Sequence, residues 1–243
     1  MQGQISTLLL VGLPIDINNK FKFTAPTFKD ILNIGYEQLM GYVQTFYDLN
    51  YVMFSNKDIN QIIEDNEYGS FDTWQLVLML EKEAKIYSLT EYIVECLKIH
   101  LNEDVIISDD CQILVGGKEF NKDDYEYFDK ILKVAYELDE RIEDRKFGSI
   151  VSRRKAIEMR ISRNEIYKIE SKKTSFIYQI ISVLKTKKND TDIQNSNLFQ
   201  LIDTYKRLVK EKNYDNLMVG VYTGNVDTKK IDLDKEHWTS NMS

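Results

Sequence analysis

Cysteine and histidine, the two side chains best suited to chemistry near neutral pH, occur twice each in this 243-residue chain. Cys96 and His100 stand four residues apart in a stretch with helical periodicity, so both fall on one helix face and could reach one metal ion. A closed site needs a second pair, and Cys111 and His237 are each isolated in sequence. The pair therefore reads as one face of an ordinary helix. Gly116-Gly117-Lys118 has neither the spaced glycines nor the Ser or Thr after lysine that a phosphate-binding loop requires, and reads as a tight turn after a strand. Nucleophile elbows and zinc-protease helices are absent from the sequence. The acidic doublets Asp109-Asp110 and Asp123-Asp124 lie in a strongly acidic region, where a solvated face is the simplest reading. No catalytic residue, metal ligand or cofactor is predicted, and both cysteines are expected to be buried, reduced thiols.

Charge supplies a second kind of chemistry. Residues 145–188 hold 13 basic and three acidic residues, a balance of +10, so the remainder must carry −17 for the whole to total −7. Within this stretch residues 149–173 read as a helix with a thin apolar line. Arg153, Arg154, Arg160 and Arg163 project from neighbouring turns and could neutralise a row of phosphates or meet an acidic protein surface. Tyr167 is the lone aromatic among these charges, whereas nucleic-acid platforms interleave several. A protein contact or a simply solvated helix is the preferred reading, and a nucleic-acid-binding or regulatory role is the alternative.

These residues must be positioned by a mainly α fold with a small β component, an α+β class. Only two prolines and 10 glycines punctuate the chain, which favours long helices. Residues 6–26 read as extended, with Ile15, Ile17, Phe21 and Phe23 forming two short strands about Asn18-Asn19. Thr27 and Asp30 then open one helix running to Tyr47, weakened by Gly35 and Gly41. Helices are expected over 58–65, 71–87 and 88–101. A β-hairpin follows, Val105–Ile107 against Gln112–Val115, and Asn121 caps a helix with Tyr125, Phe128, Ile131, Leu132, Ala135 and Leu138 on one stripe. The segment 175–186 is a short apolar helix or buried segment, 187–197 a polar linker, and a last helix begins at Leu198, with a break expected near Asn213 and Asn216. Composition divides the chain into an acidic α+β domain, 1–147, and a helical, partly basic region, 148–243. No run reaches the 18 apolar residues of a membrane span, and "LLLVGLP" has no basic flank to make it a signal peptide, so no membrane and a cytoplasmic location are expected.

The last helix carries a three-four apolar stripe through Leu201, Tyr205 and Leu208, with Tyr214 further on. Beyond it, Ile231, Leu233 and Trp238 punctuate a charged segment too short to fold alone. It gains order by lying on something, either its own last helix or a partner subunit. These seven residues are the predicted partner-binding set, with Arg153, Arg154, Arg160 and Arg163 as a charged contact.

The ending "LFQLIDTYKRLVKEKNYDNLMVGVYTGNVDTKKIDLDKEHW" resembles the C-terminal part of proteins encoded in the tail modules of bacteriophages and prophages of Gram-positive hosts. "APTFKDILNIGYEQL", and the hairpin-then-helix "DVIISDDCQILVGGKEFNKDDYEYFDKIL", are similar to the corresponding parts of that group. The resemblance implies a non-enzymatic tail assembly chaperone of the host bacterial cytoplasm. Its implied partners are the tape-measure protein and tail tube subunits, with self-association also open. A structural tail component retained in the virion is the other role within that group.

Overall fold

The structure, a computed structural model, describes residues 2–49, 87–108, 112–138, 159, 176–226 and 231–237. The mainly helical α+β class is as expected, with two small antiparallel sheets.

The chain starts as helix α1 (Gln2–Leu10), not as extended chain. Its leucines are strong helix formers, and the helix buries Ile5 and Leu9, one turn apart on the same face. Pro14 follows, and β1 (Ile15–Ile17) pairs with β2 (Phe21–Phe23) as the expected hairpin, Ile15 opposite Phe23 and Ile17 opposite Phe21. Asn18 and Asn19 take the positive φ values, 51° and 57°, that a tight turn demands and asparagine tolerates. Alternation then sends all four apolar side chains inward and Asp16 and Lys22 outward.

Thr27 forms the predicted capping box with Asp30 and opens α2 (Phe28–Ile34). The single helix expected here is in fact two. Gly35 adopts φ 97° and ψ 125°, outside the helical region and open chiefly to glycine, and α3 (Tyr36–Tyr47) restarts on a new axis. Gly41 faces Tyr92 of α4 (Tyr87–Leu101), but an added Cβ would sit 3.6 Å from that ring, an ordinary contact. Close helix approach therefore does not depend on this glycine.

The second hairpin forms as predicted. Strand β3 (Val105–Ile107) pairs with β4 (Ile113–Val115), Val105 opposite Val115. Gly116 and Gly117, both at positive φ, turn the chain into a further strand, β5 (Lys118–Glu119). Asn121 caps α5 (Lys122–Ala135) through a capping box with Asp124. Its stripe is buried from Tyr125 to Ala135, and Leu138 packs beside it.

Helix α5 is the spine of the core. The Phe128 ring lies within 6.0 Å of Phe23, Phe46, His100 and Phe120, mostly in edge-on or tilted contacts. Such pairs contribute about 0.5–1.5 kcal/mol each beyond their burial. Helix α3 packs on α4 and α5, and α1 packs on α5.

After residue 175 come α6 (Phe176–Leu184), α7 (Asp190–Asn195) and α8 (Leu198–Tyr222). The polar linker thus contains a helix, α7, which the sequence pattern did not indicate. It is organised by one buried side chain, Ile193, and rests on α2. Helix α8 runs unbroken for 25 residues, with no interruption at Asn213 or Asn216, and spans about 37 Å. Ile180, Leu184, Ile193, Leu198, Leu201 and Ile202 belong to the same buried cluster as the residues of α1 to α5. Predicted elements within 50–86, 139–158 and 160–175 lie outside the described residues.

Candidate functional site

The predicted interaction stripe lies on α8, whose root is built with unusual care. Asn197 caps the helix by accepting from the Gln200 backbone N–H, while the Gln200 side chain accepts from the Asn197 backbone N–H. Each side chain also reaches the end of α1. Asn197 Nδ2 donates to the Leu9 carbonyl at 2.9 Å, and Gln200 Nε2 donates to the Leu10 carbonyl at 2.8 Å. Carbonyls at a helix C-terminus have no partner within their own helix, so the start of α8 serves as a cap for the end of α1. The Phe28 N–H donates to Ser196 O at 2.8 Å, and Thr27 bridges to Asn197, which sets the α2 and α8 N-termini side by side.

Along α8 the environment changes. Leu198, Leu201 and Ile202 are buried, and Tyr205 and Leu208 pack half-buried against the core. Lys206 Nζ is 2.6 Å from the Glu137 carboxylate at the end of α5. No described side chain from Asp203 to Tyr222 is fully buried, and Val219 and Tyr222 are 61% and 83% exposed. The helix therefore loses full burial after Ile202 and, from Val209 on, continues as an arm.

The arm ends in a chain reversal. Thr223 caps α8 and Gly224 takes φ 73°; the Asn225 and Val226 N–H groups both donate to the Gly220 carbonyl. Val226 then sits directly over Gly220, so close that a Cβ on residue 220 would lie 2.7 Å from Val226 Cγ2. Residues 231–237 include the one-turn helix α9 (Leu233–Glu236), whose end meets α8 through Glu236 and His237. The His237 ring meets Tyr214 edge-on at 4.8 Å. Glu236 closes a cleft of about 210 Å³ lined by Tyr205, Lys206, Val209, Lys210 and Asn213.

The predicted partner-binding residues separate accordingly. Leu201 is 0% exposed and belongs to the core, so it cannot contact a partner while the protein is folded. Tyr205 and Leu208 are half-buried against the core, and Tyr214, Ile231 and Leu233 are half-buried on the arm and its returning segment. Of the two seats proposed for the tail, the described part takes its own last helix. Trp238, Arg153, Arg154, Arg160 and Arg163 lie outside the described residues. Sequence reasoning missed the Asn197–Gln200 box, although an Asn with Gln three positions on was there to be read. It also missed Gly220, since a helical glycine does not announce what lies above it.

The Cys96–His100 pair is a core feature. Both residues are buried, Cys96 as a free thiol. His100 Nδ1 lies 2.7 Å from the Cys96 carbonyl, which can only accept, so Nδ1 carries the proton. Nε2 is then free to accept from the Tyr136 hydroxyl at 2.6 Å. Burial lowers the His100 pKa to about 4 and raises those of Cys96 and Tyr136 well above their ordinary values. The imidazole is therefore neutral at physiological pH, stacked on Phe23 at 5.0 Å. Among the described residues no three His, Cys, Asp or Glu side chains converge as a metal site would require, and no helix is long and apolar enough to cross a membrane.

Asp124 departs from the expected solvated face. Its carboxylate is fully buried and accepts from Asn18 Nδ2 at 2.8 Å, Lys20 Nζ at 2.9 Å and the Asn121 N–H at 3.1 Å. It ties the β1–β2 turn to the start of α5. The doublet Asp109-Asp110 and Cys111 lie outside the described residues.

Residues 168–243 match the family model of the YomV second domain, a phage-derived family. That span contains α6, α7, the whole arm and the returning segment. No curated protein and no solved structure matches the chain.

Proposed function

We propose that this phage-related chain acts by binding rather than by catalysis. Its role is that of a tail assembly chaperone which holds the tape-measure protein, or the tail tube subunits that polymerise around it, in the host bacterial cytoplasm. One observation carries the reading: α8 is anchored in the core at its root, yet its distal part stands out as an arm with Val209, Val219 and Tyr222 exposed. These side chains leave apolar surface on a helix, the kind of face that a partner's groove or helix covers. The match to a phage-derived domain over that same region, and the resemblance of the ending to tail-module proteins, point to a partner within the phage assembly.

Co-expression with the neighbouring tape-measure product tests this. Wild type should keep that product in the soluble fraction, and the double variant Val219→Asp, Tyr222→Asp should release most of it to the pellet. Both positions are exposed, so circular dichroism and the melting midpoint should be unchanged. A tape-measure product that is no more soluble with the wild type than without it would overturn the proposal. Mass spectrometry of purified particles then separates the chaperone, absent from virions, from a retained structural subunit.

A further inference from the structure

Between α1, the β1–β2 turn and α5 the surface opens into a cleft of about 320 Å³, and no residue of α8 lines it. That volume is at the low end for ligand sites, room for one side chain rather than for a cofactor. Buried Ile5 and Ile15 and half-buried Leu8 make an apolar floor, and half-buried Tyr127 stands beside them. The rim is polar. Asp16 is the one charged residue among the described residues that line the cleft. Its Oδ1 accepts from the Asn19 N–H at 2.7 Å, so the turn holds the carboxylate in place. Its Oδ2 has no hydrogen bond or ion pair among the described residues. Neighbouring cations leave it unneutralised: Lys20 Nζ is held by Asp124 at 2.9 Å, and Lys22, opposite Asp16 in the hairpin register, makes no ion pair with it. Asn18 donates its Nδ2 to Asp124 and so keeps its carbonyl oxygen as an acceptor, and Gln4 offers a second amide.

We infer that this cleft receives a lysine side chain presented by a partner polypeptide. The methylene stem lies on Ile5, Leu8 and Ile15, beside the Tyr127 ring, whose face attracts a cation. The ammonium donates to Asp16 Oδ2 and to the amide oxygens of Asn18 and Gln4, three acceptors for its three N–H groups. Arginine fits less well, because its planar fork is matched to both oxygens of a carboxylate, and Oδ1 is already engaged by Asn19. None of these residues belongs to the α8 face proposed above for a tail partner, so the site stands or falls independently of that role.

Titration of the isotope-labelled full-length protein with N-acetyl-lysine methylamide, followed through amide chemical shifts, tests this. Saturable shifts are expected at Gln4, Asp16, Asn18, Asn19 and Tyr127. N-acetyl-norleucine methylamide has the same stem without the ammonium and should bind about tenfold more weakly or worse, the loss expected with one charge-assisted hydrogen bond. Asp16→Asn should weaken the lysine compound to the same degree. That variant keeps an oxygen to accept from the Asn19 N–H, so the turn should survive, and unchanged shifts elsewhere in the protein check that it does. Asp123→Asn removes an exposed carboxylate one turn before Tyr127 that does not line the cleft, and should leave the affinity unchanged. Shifts that fail to saturate, or an Asp123→Asn effect as large as that of Asp16→Asn, would reduce the binding to general attraction by an acidic surface and overturn the inference. Equal affinity for the norleucine compound would overturn it too. Tighter binding of N-acetyl-arginine methylamide would overturn the choice of lysine. Binding of n-butylammonium as tight as that of the lysine compound would assign the cleft to free amines and overturn the polypeptide reading.

Discussion

At the scale of single residues, Cys96, His100 and Asp124 lie buried in the core, His100 and Asp124 in short hydrogen bonds. His100 hydrogen-bonds through both ring nitrogens and is walled by Phe23, Phe128 and Tyr136. Its pKa is lowered from 6.5 to about 4, mainly because burial disfavours the charged ring. A base whose pKa is lower folded than unfolded binds more protons when unfolded, so stability must fall as pH drops through that interval. It is constant above about pH 6.5, and about 3 kcal/mol is lost between there and about pH 4. Urea titrations at several pH values should show this slope, and His100→Gln, whatever its own cost, should flatten it. The i, i+4 spacing of Cys96 and His100 was legible in the sequence, and so was its ordinary meaning. The burial of Asp124 was not, because its partners Asn18 and Lys20 come from a turn more than a hundred positions away.

At the scale of elements, what could be read was what is locally encoded. The Thr27–Asp30 and Asn121–Asp124 boxes, the Asn-Asn turn and the Gly-Gly turn each form because a side chain or a positive φ satisfies the backbone nearby. The misreadings have tertiary causes. Helix α1 shows only a cluster of leucines in sequence, and its helical state is secured by burying Ile5 and Leu9 and by the side chains of Asn197 and Gln200. Helix α7 exists around one buried isoleucine, and the asparagines of α8 are tolerated because the helix around them is long and continuous. Asn197→Ala should therefore cost about 1–2 kcal/mol, as for a lost N-cap. In hydrogen exchange, the amides at the end of α1 should lose protection along with the first turn of α8. An effect confined to α8 would show that the caps are independent.

At the scale of the whole molecule, the arm and the core differ in kind. Leu201 lies in one buried cluster with Phe128 and Ile31, so Leu201→Ala should destabilise by about 2–5 kcal/mol. Native-state hydrogen exchange should show α4 and α5 opening more readily by the same amount, while amides distal to Val209 already exchange fast in the wild type. A change limited to residues after 176 would instead mark two independently folding units. The outline of the candidate site was legible from the α8 stripe, but its division into buried root and exposed arm was not, since one periodic pattern serves both. The Asn197–Leu9 bond joins positions 188 apart. At a synthesis rate of about 5–20 residues per second, the first helix waits roughly 10–40 s for its partner to be made. Helix α1 thus gains the cap on its C-terminal end only after Gln200 has been made, so that end and the root of α8 are completed in one step.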